Sequence, residues 1–200
     1  VIDSEYNVKY KYTMKSKVLA LILLCGAASL GAKVKLPALV GDNMILQQQT
    51  EVKLWGTAAP EAEVRVTPSW NGQTMTCRAD KDGGWTLAVE TPAAGYTPYE
   101  ITFDDGEKTT LKNILIGEVW LASGQSNMEM PLKGFAGCCI MNGADDIIVS
   151  AENKGVRMFT VPKHQTYELQ TDCKGSWNIS SIETAPDFSA TAYYFATSLS

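Results

Sequence analysis

The chain reads Gly117-Glu118-Val119-Trp120-Leu121-Ala122-Ser123-Gly124-Gln125-Ser126-Asn127-Met128 where an apolar run passes into a polar turn that holds a serine. The four apolar residues 119–122 predict a short strand that is buried on both faces. Ligands of open α/β sheets bind just beyond the carboxyl ends of strands, so a hydroxyl at that edge can meet a substrate. The segment therefore predicts a nucleophile, Ser126, at the rim of an α/β sheet.

The residues around Ser126 suit acyl chemistry. Gly124 permits close backbone approach and a positive φ, and a helix that begins near Ser126 would direct free N–H groups at a developing oxyanion. A Gly-x-Ser-x-Gly nucleophile elbow is disfavoured because Met128 stands where the second glycine would be. A serine at such a turn also often does no more than cap a helix. Local sequence alone leaves the nucleophile and the helix cap as alternatives.

The run from Gly117 to Met128 resembles the first sequence block of the SGNH (GDSL-like) hydrolases, and in particular the sialate O-acetylesterase family. The resemblance implies that Ser126 attacks an acetyl ester and that its own backbone N–H is one oxyanion-hole donor. It implies a serine acyl-enzyme mechanism without metal or organic cofactor. Gly124, Gln125 and Asn127 are interpreted as residues that support the turn, Gln125 and Asn127 by side-chain hydrogen bonds.

Residues 33–113 alternate in polarity in short runs separated by turn residues, which is typical of an all-β sandwich of jelly-roll or immunoglobulin-like type. Trp55 and Trp85 are interpreted as core or sheet-face aromatics rather than sugar-stacking platforms. The segments 42–47 and 82–85 also resemble the amino-terminal module of the same family. The predicted strands are residues 51–55, 63–67, 74–79, 85–89, 99–103 and 109–115.

Residues 114–200 are predicted to be the start of a flavodoxin-like α/β domain of the SGNH type, cut short before its sheet is complete. A helix over residues 145–152, ended by Gly155, and a strand over residues 156–161 would give a strand-helix-strand unit with parallel strands. A last helix is expected after Asp187 as its cap, with an apolar face made of Phe188, Thr191 and Ala192, Phe195 and Leu199.

The first 32 residues have the character of a leader rather than of a folded element. Residues 1–13 are interpreted as upstream, non-native translation, and residues 14–32 as a signal peptide with a basic start, a short apolar core and cleavage after Ala32. The apolar core is shorter than the roughly 20 residues that a membrane span needs. Secretion or export to a periplasm is therefore predicted, with a lipoprotein anchor on Cys25 as the less favoured alternative.

Charge and cysteine spacing argue against nucleic acid as a partner and against zinc or redox sites. The net charge is −5 and no basic run interleaved with aromatics is present, so nucleic acid is not an expected partner. The cysteines after the leader lack Cys-x-x-Cys spacing and histidine partners, so neither a zinc site nor a redox motif is predicted. One bridge from Cys138 or Cys139 to Cys173 is an open alternative. The oligomeric state is left unspecified.

The chain contains a single histidine, His164. Serine is a weak nucleophile unless a base takes its proton. In SGNH enzymes that use an aspartate, that residue stands three positions before the catalytic histidine, and here the position holds Val161. His164 is therefore predicted to be a loop residue, and the catalytic histidine is expected outside these 200 residues, so this piece by itself should show little turnover.

The resemblance implies that the function is removal of O-acetyl groups from sialic acids or related sugars. One alternative is a non-catalytic carbohydrate-binding or interaction module in which the β sandwich carries the function. Another is an acetylesterase that acts on plant polysaccharide. The partner in all three is an O-acetylated carbohydrate.

Overall fold

A computed structural model describes residues 33–137 and 144–199. The predicted upstream segment and signal peptide lie outside the described residues, as do Cys138 and Cys139. Cys77 and Cys173 are both free thiols. Every helix within the described ranges is too short or too polar to cross a membrane.

Residues 33–117 are dominated by β structure, and each of the six strands predicted there is present. Their alternating polarity matches the two-residue period of a half-buried strand. The sequence missed only the first strand, which has three residues. The strands are β1 (Ile45–Gln47), β2 (Glu51–Thr57), β3 (Glu63–Pro68), β4 (Met75–Arg78), β5 (Gly84–Glu90), β6 (Gly95–Asp104) and β7 (Lys108–Gly117).

The strands form a five-stranded sheet in the order β1-β7-β6-β3-β4 and a two-stranded sheet of β2 and β5. All their pairings are antiparallel except that of β1 with β7, which is parallel and sets Gln47 opposite Gly117. Buried side chains from both sheets, such as Leu54 and Phe103, join one hydrophobic cluster. Trp85 is 4% exposed and belongs to this cluster, and Trp55 packs against it, so both tryptophans are packing residues.

Gly83 occupies a turn that requires glycine. Its φ is +86°, and a Cβ atom there would lie 2.4 Å from the carbonyl oxygen of Ala58. Gly72 has a similar φ of +66°, but a Cβ atom there would have no neighbour within 4 Å. We expect Gly83→Ala to lower the free energy of unfolding by more than the ~1 kcal/mol that a left-handed φ alone costs.

Gly72→Ala is the matched control, since it carries the backbone cost without the steric clash. Denaturant unfolding of the two variants measures the difference. Equal losses of stability would show that the contact with Ala58 is relieved at no cost.

Beyond residue 117 the described chain contains short helices and one more pair of strands. The helices are α1 (Ser126–Glu129), α2 (Ala144–Val149), a 3-10 turn (Ala185–Asp187) and α3 (Ala190–Leu199). The strands are β8 (Asn153–Phe159) and β9 (Trp177–Ser180). A second hydrophobic cluster, which includes Leu132, Met158 and Tyr193, holds these elements together.

The predicted buried strand at residues 119–122 is wrong. These residues form no strand, and Val119, Trp120 and Leu121 are 43%, 62% and 92% exposed. A buried strand needs a hydrogen-bonded neighbour, and no described strand pairs with this segment. Trp120 instead packs edge-on against Phe195, with 5.1 Å between ring centroids.

The predicted parallel strand-helix-strand unit is also absent from the described residues. The helix ends at Val149, earlier than expected, so that Gly155 lies within β8 rather than after the helix. β8 itself pairs antiparallel with β9, which the sequence analysis did not predict. The apolar run was recognised correctly as a strand, but its neighbour in the sheet, β9, was not predicted.

The last helix begins at Ala190, and its cap is Ser189 rather than Asp187. The Ser189 hydroxyl oxygen accepts the backbone N–H of Ala192 at 3.4 Å. The predicted apolar face is confirmed only in part. Ala192 is buried and Phe188 packs against the second cluster, whereas Phe195 and Leu199 are 44% and 59% exposed, and Ala190 and Tyr193 are buried in addition.

The described chain is thus mostly sheet, with two separate hydrophobic clusters. Ile114 and Ile116 belong to the first cluster, beyond the residue at which the sequence analysis placed the end of the β domain. β7 runs through that position without a break. The division of the chain into two domains stays a prediction.

Candidate active site

Ser126 is the first residue of α1, which follows an irregular segment of residues 118–125. The serine is exposed. Its backbone carbonyl accepts the N–H of Met130 at 3.2 Å. Within the described ranges neither its hydroxyl nor its backbone N–H forms a hydrogen bond. A helix start near Ser126 was predicted, and it is present.

The turn before Ser126 is held by the backbone. The carbonyl oxygen of Gln125 accepts the N–H groups of Met128 and Glu129, at 2.9 and 3.2 Å. The side-chain hydrogen bonds expected of Gln125 and Asn127 are not found among the described residues. A one-turn helix closed by its own backbone does not require them.

Gly124 contributes close approach rather than a positive φ. It is not among the described residues with left-handed backbone conformation. A Cβ atom at Gly124 would lie 3.2 Å from the Cβ of Met128, tighter than side chains normally pack. The expected positive φ is therefore wrong. A small residue is needed at position 124 because Met128 lies so close to it.

Helix α1 is fastened to α3 by two side chains. The Thr191 hydroxyl donates to the backbone carbonyl of Asn127 at 3.0 Å, and the Ser189 hydroxyl contacts the Met128 sulfur at 3.3 Å. The backbone of Met130 accepts the N–H of Ala190 at 2.8 Å. The carboxyl-terminal side of Ser126 is therefore fixed to the second hydrophobic cluster.

Lys163 brings the loop of the single histidine close to α1. Its Nζ lies 2.7 Å from a carboxylate oxygen of Glu129, three residues after the serine. Both side chains are well exposed, so the ion pair contributes little to stability. His164 is exposed and forms no hydrogen bond with Ser126 or with any other described residue.

The described residues contain no cluster of three or more histidine, cysteine, aspartate or glutamate side chains suited to a metal ion. The chemistry that the described part of the chain presents at this place is an exposed hydroxyl beside unpaired backbone N–H. A nucleophile and one oxyanion donor would need groups of this kind, and no described base contacts the serine.

Glu118 begins the segment that leads to the serine, and the sequence analysis missed its contacts. Gln47 and Gln48 both donate side-chain hydrogen bonds to its carboxylate. These hydrogen bonds, that from Gln47 first, lower the pKa of Glu118 below its ordinary value. Gln47 and Glu118 each lie in a family-like motif, but nothing in their separate patterns indicated that the two motifs touch.

Comparison with solved structures places this arrangement in a known class. The chain is similar to the crystal structure of a carbohydrate acetylesterase from Xanthomonas citri, with a TM-score of 0.75 and 32% sequence identity over 83% of this chain and 37% of that one. No protein-family model matches the chain.

Curated relatives support the same resemblance. The rat sialate O-acetylesterase is 27% identical over 175 residues, and the human protein is 29% identical over 161 residues, which are 80% and 74% of this chain. These similarities confirm the resemblance to the sialate O-acetylesterase family that the serine motif predicted. The chain spans 31% and 29% of the length of these two relatives.

Proposed function

We propose that this chain contributes the nucleophile to a serine esterase that removes O-acetyl groups from a carbohydrate. The observation that carries the proposal is the exposed Ser126 at a loop-to-helix junction, in a chain related to acetylesterases. An exposed hydroxyl beside a free backbone N–H has the parts that acyl transfer needs on the nucleophile's side.

The mechanism would proceed in two steps. The Ser126 oxygen attacks the acetyl carbonyl carbon while a base takes the hydroxyl proton, and the backbone N–H of Ser126 donates a hydrogen bond to the carbonyl oxygen as it becomes negative. The sugar leaves as an alcohol after protonation, which gives an acetyl-enzyme. Water then attacks this ester and releases acetate and the free serine.

The base belongs to the proposal as well. His164 forms no hydrogen bond with Ser126, and Val161 stands where the family pattern has aspartate. We propose that the catalytic histidine is supplied from outside these 200 residues and that Ser126 alone gives this piece little turnover. The complete architecture would pair the β sandwich of residues 33–113 with a flavodoxin-like domain that starts at residue 114, and residues 14–32 would direct export.

A fluorophosphonate probe tests the nucleophile directly. We expect it to form a covalent bond with Ser126, identified by peptide mapping, in a longer product of the same gene and more slowly in this chain. Ser123 lies three residues away in the same exposed segment and serves as the internal control, since it should stay unlabelled. Labelling elsewhere, or none in any form that hydrolyses acetyl esters, would overturn the assignment.

Acetate release tests separately which acetylated carbohydrate is the substrate. O-acetylated sialic acid and acetylated plant polysaccharide, supplied at equal ester concentration, distinguish the two substrate classes. Release from sialic acid is the expected result, because the curated relatives carry that activity in their names. Binding of either glycan without any acetate release would favour the binding module instead.

A further inference from the structure

Three side chains form what we term the glutamine clamp: Gln47, Gln48 and Glu118. The parallel pairing of β1 and β7 sets Gln47 beside Gly117, so the two strands end at the same edge of the sheet. Gln47 Nε2 donates to Glu118 Oε2 at 3.0 Å, and Gln48 Nε2 donates to Glu118 Oε1 at 2.6 Å. Both carboxylate oxygens therefore accept a hydrogen bond from a segment some 70 residues earlier in the chain.

Neither glutamine is free to turn its amide over. Gln47 Oε1 accepts the backbone N–H of Val119 at 2.9 Å, and Gln48 Oε1 accepts that of Ala94 at 2.8 Å. Turning either amide would set its NH2 group against a backbone donor. Position 118 therefore needs two acceptors at once, which a carboxylate provides and a neutral amide does not.

The clamp holds the start of the segment that ends at Ser126. Residues 119–125 have no helix or strand, and Leu121 is 92% exposed, so the contact of Trp120 with Phe195 is the main packing contact described for them. The bond from Val119 to Gln47 fixes one end of this segment, and the bond from Thr191 to Asn127 fixes the other. Ser126 lies between these two anchors.

We propose that Glu118 is a positioning residue that, through Gln47 and Gln48, fixes the orientation of Ser126 for attack. The proposal rests on the proposed function of Ser126. It gives the β-rich part of the chain a role in the reaction itself, since β1 and the residue after it supply the two glutamines. A displacement of a nucleophile by about 1 Å costs on the order of 100-fold in rate.

The clamp lies outside both hydrophobic clusters, which separates positioning from general stability. Its three side chains are at least partly exposed, so loss of their hydrogen bonds should leave the free energy of global unfolding almost unchanged. If the clamp only stabilised the fold, the opposite result is expected. The thermal unfolding midpoint would shift, and hydrogen exchange in the serine segment would stay unchanged at temperatures well below that midpoint.

Three variants test the clamp: Glu118→Gln, Gln48→Glu, and both together. The first leaves one glutamine NH2 without an acceptor. The second sets two carboxylates against each other, which should loosen the segment more at pH 7 than at pH 5. In the double variant the new carboxylate at position 48 accepts the N–H of Ala94 and the NH2 of the new amide at position 118. The oxygen of that amide accepts the NH2 of Gln47. Every donor therefore has an acceptor again.

Amide hydrogen exchange at Val119, whose N–H donates to Gln47, is the first readout, measured in this chain without substrate. We expect each single variant to exchange severalfold faster there, with an unchanged thermal midpoint, and the double variant to return to the parent rate. The parent itself should lose protection as the pH falls through the lowered pKa of Glu118, because protonation removes one acceptor.

Ester turnover is the second readout, in a form of the gene product that shows Ser126-dependent activity. We expect kcat to fall about 10- to 100-fold in Glu118→Gln with KM nearly unchanged, and to recover in the double variant. Faster exchange with unaltered kcat, or no recovery in the double variant, would overturn the proposal.

The two proposals fail separately. If Ser126 is not the nucleophile, labelling and turnover fail in the parent while the exchange pattern of the clamp variants persists. If exchange at Val119 is the same in parent and variants, the clamp does not order the serine segment, whatever Ser126 does.

Discussion

Ser126→Ala is expected to reduce acetyl-ester turnover at least about 10³-fold in any active form of the gene product. The substitution removes the only atom that the mechanism bonds to the acetyl group, while it leaves the backbone N–H in place. Residual activity would come from binding and oxyanion assistance alone. Helix α1 should survive the change, because its turn is closed by the backbone of Gln125 rather than by the serine side chain.

The measurement is kcat/KM for a chromogenic acetyl ester, with circular dichroism to verify that the fold is unchanged. Ser123→Ala is the matched control, since it removes a hydroxyl three residues earlier, and His164→Asn tests the chain's single histidine. Both controls are expected to keep the parent rate. A loss with His164→Asn comparable to that with Ser126→Ala would show that His164 is the base.

Leu54→Ala is expected to lower the free energy of unfolding by about 2–5 kcal/mol. Leu54 is 1% exposed and belongs to the cluster that unites the two sheets of the β-rich part. Truncation removes buried methyl groups and leaves a cavity that the paired strands around it cannot close. A loss in the upper part of that range would consume a large share of the stability of a small domain.

Leu169→Ala is the matched control, because the same atoms are removed from a side chain that is fully exposed, at 101%. We expect its unfolding midpoint in urea to stay within the error of the parent value. If both variants lost equal stability, the two-sheet cluster would not be the core of this chain.

Local pattern predicted the β-rich part well because each strand carries its own signal. In residues 63–67 and 85–89 apolar and polar side chains alternate, and this alternation depends only on which face of a strand meets the core. β1 was missed because three residues are too few to show a period. The other boundaries differ by a few residues at strand ends, where hydrogen bonding to a neighbour decides the extent.

The same reasoning failed after residue 117 because it had no information about partners. The run at residues 119–122 has the composition of a buried strand but no described strand beside it, so it lies exposed. β8 was recognised as a strand, yet it pairs with β9, residues 177–180, for which no strand was predicted. Composition indicates what could be buried, and tertiary contacts decide what is.

The sequence by itself indicated the resemblance to the family and the candidate nucleophile, because the motif around Ser126 is contiguous and its chemistry is local. Only the tertiary structure decided that Glu118 meets Gln47 and Gln48, and that Ser189 rather than Asp187 caps α3. Gln47 and Glu118 are 71 residues apart and come together through the parallel register of β1 and β7. Register between distant strands is fixed by the whole sheet and its core, which no single motif encodes.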